Sequence, residues 1–132
     1  MFEIIRNIGS ITRKLQIQSN KKFNSLNLGN NRFIYIIRIC EKPGMFLGEI
    51  ADQLSIDRTT AFRTIKNLEK LGYIITVEDT KDKRLRRLYP TKSASEIYPK
   101  LNAFEQTSSD TLLKKLDSHE REQLLLLLNK IM

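Results

Sequence analysis

The sequence predicts a mainly α chain with one small β-hairpin, an α+β architecture. Three observations predict it. Apolar residues recur at helical spacing through most of the chain. A single run, Tyr73-Ile74-Ile75-Thr76-Val77, is rich in β-branched and aromatic residues, and a polar loop separates it from a second short run, Leu85 to Thr91. Helix-stopping pairs, Pro43-Gly44 and Leu71-Gly72, punctuate the central third.

The bounds are those of one small domain. The chain has 132 residues, a net charge of +8 and one cysteine, so an intramolecular disulfide is excluded and a reducing compartment is expected. No apolar run approaches the roughly 18 residues of a membrane span. The start, Met1-Phe2-Glu3-Ile4-Ile5-Arg6, lacks the basic-then-apolar order of a signal peptide. A cytoplasmic protein is expected.

Residues 2 to about 19 form the first expected helix, with Ile4, Ile8, Ile11 and Leu15 on one stripe widened by Phe2, Ile5 and Ile17. Arg13, Lys14, Lys21 and Lys22 beside it read as a solvated face. Asn24 to Asn31 is turn-rich. A second helix runs from about Asn31 to Lys42, and its stripe of Phe33, Ile36, Ile37 and Cys40 puts the cysteine on the buried face. A redox switch needs an exposed thiol in electropositive surroundings, so Cys40 reads as core, with a sensor kept as the alternative.

Residues 47 to 91 organise the rest. A short helix, Leu47 to Leu54, is followed by the turn Ser55-Ile56-Asp57 and a longer helix, Arg58 to Leu71. Ala51 lets the two helices cross closely, while Leu54 and Ile56 staple the corner. Asp57 is placed to cap the second helix, and Gly72 follows where the chain turns left-handed. The hairpin completes the pattern: a helix-turn-helix followed by a wing. The loop Asp79-Thr80-Lys81-Asp82-Lys83-Arg84 is expected to be too polar to be buried.

The longer helix carries the functional argument. Ala61, Ile65, Leu68 and Leu71 fall on one stripe facing the core. The opposite arc holds Thr59, Thr60, Arg63, Lys66, Asn67 and Lys70, without an acid; Glu69 projects elsewhere. On an isolated helix this is an ordinary solvated face. Behind a helix-turn-helix it suits the major groove, where phosphates take cations and hydroxyls while base edges take Arg, Asn, Ser and Thr. From Asp57 to Lys92 there are ten Lys and Arg against five Asp and Glu, a net +5. Residues 1 to 56 carry +4 and residues 93 to 132 carry −1, so positive charge gathers in the reading half, with Arg86, Arg87 and Lys92 extending it. A winged helix used for protein contact alone would present an apolar or acidic arc instead.

The C-terminal third reads as two helices. Lys92 to about Leu116 keeps Ile97, Leu101, Phe104, Leu112 and Leu116 in helical register, with Pro99 expected to kink the helix or delay its start. Asp117 then caps a last helix, with Glu120 three residues on as in a capping box. Leu124 to Leu128 are five consecutive leucines followed by Ile131. Five in a row cover every side of a helix, which a terminal helix of a small monomer cannot bury. A homodimer is predicted, its interface drawing on Ile4, Ile8, Ile11, Leu112, Leu116, Leu124, Leu125, Leu127, Leu128 and Ile131. The single expected domain, 1–132, then divides into a DNA-binding lobe at about 30–91 and dimerisation helices at about 2–20 and 92–132.

The run from Leu47 to Ile74, LGEIADQLSIDRTTAFRTIKNLEKLGYI, resembles the DNA-binding core of the MarR family of bacterial transcription regulators. Asp82-Lys83-Arg84 matches the family's Asp-x-Arg wing signature. The resemblance implies a winged helix-turn-helix on a pseudo-palindromic double-stranded operator. Arg84 would enter the minor groove with Asp82 orienting it, Lys81, Lys83 and Arg86 would lie along the wing, and Thr59 and Arg63 would act from the recognition helix. Two positions depart from the pattern: Phe62 stands where the family has a small polar residue, and Pro90 replaces an apolar strand residue, ending that strand early. The resemblance further implies a repressor, released by a small, often aromatic, ligand, with ligand-independent global regulators of the same fold as the alternative.

Catalytic signatures do not appear. The one histidine, His119, falls in the first turn of the last helix among acids, and there is no phosphate loop, Gly-x-Gly-x-x-Gly, His-Glu-x-x-His or paired-cysteine motif. Neither an enzyme nor a cofactor is expected, and one His with one Cys does not make a usual zinc site.

Overall fold

The computed structural model describes residues 1–132. Six helices and three short strands follow in the order α1 (Phe2–Phe23), α2 (Arg32–Glu41), β1 (Met45–Phe46), α3 (Leu47–Gln53), α4 (Arg58–Lys70), β2 (Ile74–Glu78), β3 (Arg86–Pro90), α5 (Lys92–Leu113) and α6 (Ser118–Ile131), with a 3₁₀ turn at Asn24–Leu26. The architecture is the mainly helical α+β fold with a wing that the sequence predicts. The chain falls into two compact units, Met1–Asn102 and Ala103–Met132.

In the first unit α1 runs one turn longer than expected. Phe23 anchors its end, fully buried and 4.9 Å from the ring of Phe33 on α2. The link to α2 is built from asparagines rather than glycine: Asn27, Asn30 and Asn31 all take positive φ, which Asn tolerates better than other L-residues. Gly29 serves instead a close approach, since a Cβ there would run into Asn24 Oδ1. The Asn30 amide also donates to Asn20 Oδ1 (2.7 Å), fixing the bend.

The core gathers Ile36, Ile37 and Ile39 from α2, Met45, Ile50 and Ala51, the α4 stripe of Ala61, Ile65 and Leu68, and Leu88, Ala94 and Leu101. Each of the three α4 residues is at most 1% exposed, as the spacing predicts. The corner between α3 and α4 is tight: Ile56 N–H donates to Ala51 carbonyl at 2.9 Å, and Ser55 adopts φ 52°. Tyr73 closes the lobe from below, its hydroxyl donating to the Leu26 carbonyl (3.1 Å).

The sheet departs from the expected hairpin by one strand. Its order is β1-β3-β2, all antiparallel: β2 and β3 pair from Ile74↔Pro90 to Glu78↔Arg86, and β1 adds Met45↔Leu88 and Phe46↔Arg87. Pro90 closes the ladder at its last rung, where a missing donor costs least.

Pro99 does not delay α5, which begins at Lys92 and holds the proline in its interior. Thr91 supports the start, its Oγ accepting from Ala94 N–H (3.3 Å) and donating to the Gly72 carbonyl (2.6 Å). In the second unit, Asp117 and Glu120 form the expected capping box: Glu120 N–H donates to Asp117 Oδ1 (2.9 Å) and Asp117 N–H to Glu120 Oε1 (3.0 Å). Arg121 ties the preceding turn by donating to the Leu113 and Leu116 carbonyls. No residue of α6 is buried within the chain, and Leu125 and Leu126 are 60% and 64% exposed.

Candidate nucleic-acid interface

The candidate reading surface has two parts, α4 and the β2–β3 wing. Asp57 caps α4, accepting from Thr60 N–H (2.9 Å) and from the Thr60 hydroxyl (2.7 Å). These bonds hold the Asp57 carboxyl below its usual range, the hydroxyl contributing most. Thr59, Thr60, Arg63, Lys66 and Lys70 are all exposed on one side of the helix. The Thr60 hydroxyl proton is engaged by the cap, so toward DNA that oxygen acts as an acceptor.

Asn67 corrects the expected arc. It is half-buried, and its amide oxygen is covered without a hydrogen-bond partner. An adenine contact needs that oxygen as acceptor, so Asn67 does not present a full base-reading edge. Glu69 is turned away as expected, accepting from the Thr76 hydroxyl on β2 (2.7 Å), and lies 4.0 Å from Lys66 Nζ. Phe62 is 50% exposed, with Lys66 Nζ 5.4 Å from its ring centroid.

The wing is held from both ends. At its tip Arg84 folds back on Asp82: Nε to Oδ1 is 3.1 Å, Nη2 to Oδ2 is 3.0 Å, and the Arg84 N–H adds a third bond to Oδ1 (3.0 Å). The Arg84 side chain is nevertheless 90% exposed. The pairing lowers the Asp82 pKa and raises that of Arg84. Lys81 and Lys83 flank it, exposed. Arg86, expected to face DNA, is ion-paired across the ladder to Glu78 (2.9 Å).

At the base of the wing lies a cluster that sequence reasoning missed. Asp79, expected in an unburied loop, is only 8% exposed. It accepts from Arg87 Nε (2.8 Å) and from the N–H groups of Lys81 and Asp82. Arg87 in turn donates to the Gly44 carbonyl (2.9 Å) and stacks 4.3 Å over the Phe46 ring. Its charge therefore braces the wing against β1 rather than extending the outward field. The guanidinium holds Asp79 below the usual carboxylate range. Nothing local announces this cluster, because Gly44 and Arg87 are 43 residues apart.

Cys40 is half-buried rather than fully in the core; burial, then the nearby Glu41 charge, pushes its thiol up. His119 is exposed in the first turn of α6. No cluster of three or more His, Cys, Asp or Glu side chains could hold a metal. No helix is long and apolar enough to cross a membrane.

A helix-turn-helix with a basic recognition helix and an arginine-tipped wing defines a DNA-binding transcription regulator. The chain belongs to the MarR family, whose family model matches residues 26–85. It is 36% identical over 131 residues to the uncharacterized HTH-type transcriptional regulator YybA of Bacillus subtilis, covering 99% of this chain and 87% of that protein. Among solved structures it matches a MarR family transcriptional regulator from Listeria monocytogenes in complex with a 26mer DNA, at 40% identity and TM-score 0.91, covering 96% of this chain and 85% of that one. It also matches the transcriptional regulator SlyA at 38% identity and TM-score 0.91, covering 97% and 90%. Family membership makes the chain a regulator of transcription rather than an enzyme.

Proposed function

We propose that the chain acts as a homodimeric, sequence-specific repressor that reads a pseudo-palindromic double-stranded operator. The observation that carries this reading is the exposed Arg84 guanidinium, held in a defined orientation by Asp82 beside the basic face of α4. A cation so placed suits a narrow minor groove, where the negative potential is enhanced, while Thr59, Arg63, Lys66 and Lys70 suit the adjoining major groove. Two copies would read half-sites about 10 bp apart.

Dimerisation rests on the apolar surface at both chain ends. Ile4, Ile8, Ile11, Leu112, Leu124, Leu125, Leu127, Leu128 and Ile131 are each between 37% and 70% exposed in the single chain, and Leu116 is half-buried. Apolar surface on this scale marks an association site. The division of labour is then a lobe at about 30–91 that reads DNA and flanking helices that pair, in the cytoplasm. An effector, a small aromatic molecule by family resemblance, would release the operator by changing the distance between the two recognition helices.

Selection of the full-length protein on a random duplex pool tests this. Recovery of an inverted repeat is the expected result. Recovery of no motif, with only weak salt-sensitive binding, would replace the specific reader with a non-specific DNA coater or a protein-binding winged helix.

A further inference from the structure

Phe62 is an anomaly on the reading helix. The other apolar residues of α4, Ala61, Ile65 and Leu68, are buried, whereas Phe62 keeps 50% of its surface exposed. It lies four residues before Lys66, hence within about 40° of it around the helix, on the border of the cationic arc. The Lys66 ammonium sits over the ring at 5.4 Å, so one face is covered by a charge while the rest stays open. The residue is in the second turn of α4, within the N-terminal half that helix-turn-helix proteins present to base edges. The arc therefore offers an apolar ring flanked by Thr59, Arg63 and Lys66.

The major groove has few partners for such a ring. Its base edges present hydrogen-bond donors and acceptors, and the one apolar group among the four bases is the C5-methyl of thymine. We propose that Phe62 reads a thymine methyl in each operator half-site, with Lys66 holding the ring in place while it meets a neighbouring phosphate. The inference rests on the operator-reading function proposed above and adds a base identity to it. The ring acts by excluding water from the methyl, so discrimination is set by that group alone.

The test uses the full-length protein and the operator obtained by selection, with each thymine replaced singly by deoxyuridine, which removes only the methyl. The wild-type protein is expected to lose about fourfold in affinity at one thymine per half-site, the worth of one buried carbon, and about fifteenfold when both half-sites are changed. F62A and F62S should bind thymine and deoxyuridine operators equally, and F62L, which keeps apolar bulk, should retain part of the preference. Circular dichroism checks that the variants stay folded. Specific binding by the wild type with no thymine sensitive to methyl removal would overturn the inference and leave the operator reader standing. Unchanged methyl discrimination by F62A would also overturn it, assigning the methyl to another side chain. Failure to recover any operator would remove the proposed function, and this inference with it.

Discussion

Two arginines three residues apart do different work. Arg84 reaches outward from the wing and Arg87 inward to its base. Arg84→Ala should weaken operator binding by about 1–3 kcal/mol per half-site while leaving dimerisation unchanged; near-normal gel-shift affinity would remove Arg84 from the site. The carboxylates beside them make a pH prediction. Both Asp79 and Asp82 have lowered folded-state pKa values, caused first by the side-chain bonds from Arg87 and Arg84. Their stabilisation is therefore present above the ordinary carboxylate pKa and is lost as pH falls through the depressed values. Wing amides followed by NMR should stay in place at neutral pH and shift only below about pH 4, and Asp79→Asn should shift them at neutral pH already. Asp82 and Arg84 were legible because they are two positions apart within one turn. The Asp79–Arg87 pair was not, since its meaning depends on a strand partner and a carbonyl far away in the chain.

Elements with a complete local signal were legible almost to the residue. The α4 stripe, its Asp57 cap, the left-handed Gly72 (φ 82°) and the Asp117–Glu120 box each depend on neighbours within four positions. What failed depends on long-range geometry. β1 has only two residues, too few to show any alternation, and exists because β3 lies alongside it. Asn67 shares the polar arc by angle, yet its amide oxygen is covered, which helical periodicity does not resolve. Two predictions belong at this level. Tyr73→Phe removes the bond that ties the start of the wing to the turn after α1 and should cost about 0.5–1.5 kcal/mol in chemical denaturation. Cys40, its thiol pushed up by burial, should react with a thiol reagent on the order of tenfold more slowly in the native than in the denatured protein; equally fast native labelling would revive the redox alternative.

At the scale of the whole molecule, the two kinds of surface the proposal needs are carried by different elements. Basic groups concentrate on α4 and the wing, while exposed leucines and isoleucines concentrate on α1 and α6. A charge introduced at Leu125, 60% exposed in the single chain, should shift the species seen in analytical ultracentrifugation from a dimer toward 15.4 kDa. A profile identical to wild type would refute the assigned interface. Operator affinity should fall with slope of about 0.9 per phosphate contacted in a log–log salt titration, and Lys70→Ala should reduce that slope by about one without altering the preferred sequence.

The bracing of Arg87 against Gly44 and Phe46 also limits how the regulator can be switched. The wing is tied through Arg87 to the residues that lead into α3, and α3 packs against α4, so in the proposed reading the groove-reading helix and the minor-groove finger are expected to move together. An effector of the proposed dimer would then act through the angle at which each lobe is presented, and major- and minor-groove contacts would weaken together within each proposed half-site.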